Sequence, residues 1–131
     1  MVVFLDTSAI YALANSADEN HLRAVRGLQA ITDAGQELLV HNYVLLESAA
    51  LLHRRLGWDS VSRFLRDAST FQVRWVDEAL HDAAVDRLVK KKGRSSLVDE
   101  VSFLVMREIG TRDALAFDQD FAKEGFTLYQ P

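Results

Sequence analysis

Short apolar runs alternate along this chain with longer stretches of helical period. Val2-Val3-Phe4-Leu5, Leu38-Leu39-Val40 and Ala114-Leu115-Ala116-Phe117 are too short for helices and are bounded by polar residues. That is the pattern of strands buried on both faces. The segments between them read as helices. Thr7 or Ser8 starts a short one over 7–15, and Asp18 caps another over 18–33 that Gly35 ends. Its Leu22, Val25, Leu28 and Ile31 recur as one helical stripe. Asn42 opens a helix over 42–56 that Gly57 stops, and a further helix covers 59–68. Phe71, Val73 and Trp75 alternate with polar residues as in a half-exposed strand. Asp77 caps a helix over 77–91, and Ser95 or Ser96 opens one that lasts to Ile109, before Gly110. Phe126 to Tyr129 forms a last strand at an edge. Strands alternating with helices predict an α/β fold, a three-layer α/β/α sandwich with a mostly parallel central sheet.

Composition narrows this further. One proline, six glycines and no linker, repeat or low-complexity tract in 131 residues predict a single domain over 1–131. The absence of cysteine excludes a disulfide scaffold, a cysteine zinc site and a thiol nucleophile, and fits a reducing compartment. No apolar run approaches the roughly 20 residues of a membrane helix. Val2 to Leu5 is too short for a signal-peptide core, so a cytoplasmic protein with no membrane contact is expected. The net charge of −4 argues against binding nucleic acid through a general basic surface and leaves a local site open.

Where the acids fall is therefore more informative than their number. Asp6 directly follows the first apolar run and Asp118 the last, so each lies at the carboxyl end of a predicted buried strand. Glu47 has Tyr43, Val44, Ala50 and Leu51 three and four positions away, which places it on their apolar face. Asp99 follows Leu97-Val98 in the first turn of its helix, ahead of Val101, Phe103 and Leu104. Ligands of an open parallel sheet bind at the carboxyl ends of its strands, where the following helices also begin. All four acids can meet there. Taken singly, Asp6 is explained as a helix cap, Asp99 as a charge favourable at a helix start and Asp118 as a turn residue. Converging, they repel, and a hard divalent cation is the natural compensation. Without cysteine, an HExxH motif or a close histidine pair, Mg²⁺ or Mn²⁺ fits better than zinc.

Other charged and aromatic residues have ordinary explanations. Lys90-Lys91-Lys92 with Arg94 could guide an anionic ligand, yet a lysine run at a helix end more often answers the dipole and stays solvated. His53-Arg54-Arg55 is either a ligand contact or an exposed face. Of the scattered histidines only His41, at a strand end, lies near the crevice. Trp58, Phe64, Leu65 and Trp75 read as core or a subunit contact rather than base-stacking platforms.

Four segments in order carry a family likeness: Val3-Phe4-Leu5-Asp6-Thr7-Ser8-Ala9, Tyr43-Val44-Leu45-Leu46-Glu47, Ser96-Leu97-Val98-Asp99-Glu100-Val101-Ser102-Phe103, and Ala114-Leu115-Ala116-Phe117-Asp118-Gln119-Asp120-Phe121, then Gly125-Phe126. Across essentially its whole length the sequence resembles PIN-domain ribonucleases of the VapC toxin type. The resemblance implies an acidic quartet of Asp6, Glu47, Asp99 and Asp118. Asp6 and Asp99 would be direct metal ligands, Glu47 would complete the shell, and Asp118 would hold a second metal or a water. It also implies a ligand or water contact for Ser8 and an assisting role for Asp120. With these come metal-dependent hydrolysis of an RNA phosphodiester, in tRNA, rRNA or mRNA, a small VapB-type antitoxin and a homodimer. Two competing functions use similar features. One is a non-catalytic RNA- or partner-binding module of the same fold. The other is a receiver-like signalling domain, which needs an Asp at the end of the third strand and a Lys at the end of the fifth.

Overall fold

A computed structural model describes residues 1–130. Five strands, β1 (Val2–Leu5), β2 (Glu37–His41), β3 (Gln72–Arg74), β4 (Asp113–Leu115) and β5 (Thr127–Leu128), form one sheet in the order β3-β2-β1-β4-β5. Every neighbouring pair is parallel. The connections are helical: α1 (Thr7–Ala14) and α2 (His21–Asp33) lead to β2, α3 (Asn42–Leu56) and α4 (Trp58–Ala68) to β3, α5 (Glu78–Lys90) and α6 (Leu97–Ile109) to β4, and α7 (Asp120–Lys123) to β5. Strand order runs outward from β1 to β3, then jumps back to β4. With right-handed crossovers the two sets of helices cover opposite faces, giving the three-layer α/β/α sandwich. The reversal lies between β1 and β4, and the crevice beyond their carboxyl ends is where such sheets bind ligands.

β1 is wholly apolar and β2 and β4 are apolar in their inner positions because both faces of the sheet are covered. Val3, Phe4, Leu39, Val40 and Ala114 have no solvent exposure. Phe4 packs beside Phe121 and His41, and Phe121 meets Phe103 of α6. Leu115 meets α2 at Gly27, where a Cβ would lie 2.7 Å from Leu115 Cδ1, so α2 reaches the sheet because that position has no side chain.

Gly27 also shows where the apolar stripe misleads. The residues α2 buries are Ala24, Gly27 and Ile31, while Leu22 and Val25 are exposed. Small residues let the helix approach closely, and they outweigh larger apolar neighbours on an adjacent row. Helix starts also move by a residue or more from expectation. The cap of α1 is Asp6, that of α2 is Asn20 and that of α3 is His41, whose Nδ1 accepts the Tyr43 and Val44 amides at 3.2 and 3.3 Å. Asp77 and Ser96 cap α5 and α6 as the sequence predicts, and Gly110 ends α6 in the left-handed region. Phe64 joins the core, whereas Trp58, Leu65 and Trp75 are exposed.

Candidate metal centre

Asp6 sits where β1 gives way to α1. Its carboxylate accepts the Ser8 amide at 3.2 Å and the Ser8 hydroxyl at 2.7 Å, and the residue is 4% exposed. Burial pushes its pKa up, the Ser8 bonds pull it back, and the Asp118 charge pushes it up again. Ser8 does more than donate to Asp6. Its Oγ accepts the Phe117 amide at 3.0 Å, so one hydroxyl ties the end of β1 to the residue before Asp118. On the other side of α1, the Ser48 hydroxyl donates to Thr7 Oγ1 at 3.3 Å, anchoring α1 to α3 one residue from Glu47.

Asp99 enters from the opposite helical layer, in the first turn of α6, where its amide donates to the Ser96 cap at 3.0 Å. Burial raises its pKa to about 7, and the charges of Asp6, Asp118 and Glu47 add to the rise while Ser96 opposes it. A second clamp sets this turn. Because both amides at the start of α3 point at His41 Nδ1, the ring proton resides on Nε2, which donates to Ser102 Oγ at 2.8 Å. Ser102 in turn donates to the Val98 carbonyl at 2.9 Å, beside Asp99. Burial lowers the His41 pKa to about 3, so the ring stays neutral and the bond directions hold.

Asp118 and Asp120 complete the group. The Asp120 amide donates to Asp118 Oδ1 at 2.9 Å, a turn that aims both side chains together. One carboxylate oxygen each from Asp99, Asp118 and Asp120 lies within 4.8 Å of the others. Asp6 and Glu47 stand outside that trio but close enough for their charges to act on Asp99. Glu47 arrives differently from expectation: it is exposed, and the buried row of α3 is Val44, Ser48 and Leu52. It overhangs the crevice from a helix edge rather than from an apolar face.

No Lys or Arg lies within 4 Å of the Asp6, Glu47, Asp99 or Asp118 carboxylates among the described residues; Asp120 has Lys123 at 3.8 Å. An all-oxygen donor set whose charge the protein leaves uncompensated fits a hard divalent cation. The residues present therefore suit the metal that sequence reasoning anticipates.

Asp120, to which the resemblance gives an assisting role, belongs to the trio. Sequence reasoning passed over Glu100. This glutamate is fully buried and bonds Arg87 and Lys91 of α5 at 2.9 and 2.8 Å, as well as Ser95. Glu124, after α7, takes Arg87 at 3.1 Å, Arg107 at 2.8 Å and Lys91. Glu100 has Leu97, Phe103 and Leu104 three and four positions away, the same signal applied to Glu47. The lysine run is correspondingly divided. Lys90 pairs with Asp86 in solvent at 2.9 Å, and Lys91 enters the network. A receiver-type pocket lacks its parts here, because β3 ends on Arg74 and Tyr129 and Gln130 follow β5.

Comparison with known proteins agrees with the fold. The PIN domain family model matches residues 3–126. The chain is 35% identical over 133 residues to the 23S rRNA-specific endonuclease VapC20 of Mycobacterium tuberculosis, in strains CDC 1551 and H37Rv, covering 99% of each sequence. The crystal structure of M. tuberculosis VapC20, a sarcin-ricin loop cleaving toxin, superposes with a TM-score of 0.84 at 32% identity, covering all of both chains.

Proposed function

The chain belongs to the PIN-domain family, and on that premise we propose that it is a VapC-type toxin, an Mg²⁺-dependent endoribonuclease that cuts a phosphodiester in a structured loop of ribosomal RNA. The observation that carries this reading is the uncompensated carboxylate group at the β1/β4 switch point, with the Asp99 pKa at about 7. The whole chain acts as one PIN-like domain in the cytoplasm, as a homodimer, and a VapB-type antitoxin holds it in check.

Asp6, Asp99 and Asp118 would hold the ion, with Glu47 and Asp120 completing its surroundings and Ser8 fixing Asp6. When bound, the cation supplies charge compensation for phosphate oxygens and makes an attacking water more acidic. The protein's own share is positioning. Ser8 locks Asp6 against Phe117, and the His41–Ser102 relay locks the first turn of α6, so Asp6 and the trio of Asp99, Asp118 and Asp120 are held at the same sheet edge. A carboxylate oxygen orients the water and takes its proton as the oxygen–phosphorus bond forms and the ester bond to the leaving ribose oxygen breaks.

The test is cleavage of purified ribosomal RNA, mapped by primer extension, with Mg²⁺ or EDTA. Wild type should cut at one position with Mg²⁺ only. Asp6→Ala should cut at least about a thousandfold more slowly, the loss of several kcal/mol of transition-state stabilisation. Equal rates for both proteins would reject the reading.

A further inference from the structure

An acidic crevice repels the polyanion it is meant to cut, so the grip on RNA has to come from cations beside it. The chain's formal charge of −4 offers none by bulk. Several cations are spent elsewhere: Arg87, Lys91 and Arg107 neutralise Glu100 and Glu124, and Arg74 pairs with Glu108 at 2.7 Å. Arg23 and Arg26, on successive turns of α2, form no ion pair among the described residues.

Both line a cleft of about 470 Å³ between α2 and the β4–β5 edge. Leu115, Ala116 and Leu128 give it apolar surface, Phe117 and Tyr129 add aromatic rings, and Glu19 is the one carboxylate in its lining, against the two guanidiniums. The Arg23 guanidinium lies 5.2 Å from the centroid of the Phe117 ring, and its Nη1 donates to Asn20 Oδ1 at 3.2 Å, so the cation is held in place without being neutralised. Phe117 immediately precedes Asp118, and its amide is fixed by the hydroxyl that also bonds Asp6. The cleft therefore abuts the acids through a wall that is rigid with respect to them. Its size suits one nucleotide: a base on an aromatic face, hydrogen bonds to the Asn20 and Gln119 amides of the lining, and phosphates toward the guanidiniums.

We propose that this cleft is an RNA subsite that holds a nucleotide flanking the scissile phosphate, with Arg23 and Arg26 gripping phosphates and Tyr129 as a stacking surface. The proposal rests on the endoribonuclease reading, and the experiment separates the two. Wild type, the double variant Arg23→Ala/Arg26→Ala, Arg23→Lys/Arg26→Lys and Tyr129→Leu are compared for cleavage of a fluorescent RNA stem-loop containing the sarcin-ricin sequence, over a range of KCl.

The alanine pair should raise KM about tenfold and flatten the log–log salt dependence by about 0.7 for each phosphate no longer gripped, with kcat within about twofold of wild type. The lysine pair should keep the salt slope, since charge is retained. Tyr129→Leu should raise KM about tenfold with the slope unchanged, because stacking carries no counterion release. Thermal melts monitor folding in each case. Unchanged KM and slope in the alanine pair would overturn the subsite, as would unchanged RNA binding combined with loss of antitoxin binding, which would assign the cleft to a protein partner. Should wild type fail to cut any RNA, the enzymatic reading falls on its own. Filter binding of the same stem-loop to wild type and the alanine pair then still decides the cleft, since equal affinity would refute it.

Discussion

Asp99 and Glu100 are consecutive residues at the start of one helix, and the fold treats them in opposite ways. Glu100 is completely buried, yet bonds from Lys91, Ser95 and Arg87 outweigh the burial that would raise its pKa and hold the carboxyl below its usual range. Asp99 keeps some solvent, yet burial together with Asp6, Asp118 and Glu47 lifts it to about 7. One carboxylate is answered by the protein's own cations and the other has no Lys or Arg within 4 Å among the described residues. Burial alone does not mark a functional acid; lack of internal compensation does. The geometry links the two regions, because the network joins α5, α6 and the end of α7 around the segments that carry Asp99, Asp118 and Asp120.

The sharpest way to break this contrast is to remove each charge in turn. Asp99→Asn should slow RNA cleavage by about a thousandfold or more while raising stability in metal-free buffer at pH 8, because a repelled charge disappears. Glu100→Gln should do the reverse in kind. It leaves Arg87 and Lys91 facing an amide, and the folded state should lose about 2 to 3 kcal/mol in urea titrations, somewhat below the cost of a wholly buried pair because both cations retain solvent. Loss of stability in both variants would mean that Asp99 too is compensated from within.

These two neighbours also show how much the sequence disclosed. Asp6 and Asp118 were legible because each directly ends an apolar run, and parallel topology leaves such residues no other edge to occupy. Asp99 was legible from its place in the first turn of a helix, after Leu97-Val98 and ahead of Val101, Phe103 and Leu104. Glu47 lies off the buried row that its spacing predicts, since apolar spacing along a helix cannot see that α3 docks through Ser48 rather than through Ala50 and Leu51. The same blindness to small residues misplaced the stripe of α2, where Ala24 and Gly27 face inward. Glu100 satisfies the same spacing test, but its cationic partners Arg87 and Lys91 come from the end of α5, pairings that no local spacing encodes.

Acidity gives the contrast a direction. In the unfolded chain Asp99 ionises near 3.8 and in the fold near 7, so its penalty is absent below about pH 4, grows up to pH 7 and is constant above. For Glu124, burial pushes the carboxyl up, and bonds from Lys91 and Arg107 outweigh it and hold it at about 2, against 4.5 in the unfolded chain. Its contribution is complete above pH 4.5 and is lost as pH falls toward 2. Difference profiles in EDTA, wild type minus Asp99→Asn and wild type minus Glu124→Gln, remove the titrations that both proteins share. The first should fall with rising pH between 4 and 7, the second should rise between 2 and 4.5, and millimolar Mg²⁺ should reverse the sign of the first alone by binding the folded wild type. Parallel profiles would dissolve the distinction.

The smallest effect belongs to the lysine run, which repeats the contrast with basic residues. Lys90 and Lys91 are adjacent, but the Lys90 side chain is 75% exposed and meets only Asp86 one turn earlier, while Lys91 bonds Glu100 and Glu124. An exposed pair of that kind contributes less than about 0.5 kcal/mol. Lys90→Ala should therefore leave the urea midpoint within error, whereas Lys91→Ala should lower stability by about 1 to 2 kcal/mol, since Glu100 keeps Arg87 and Ser95 as partners. The same pair distinguishes structural from RNA-guiding lysines. If the run steers phosphates toward Asp99, Lys90→Ala should raise KM and flatten its salt dependence without touching stability; an unchanged KM leaves that task to Arg23 and Arg26.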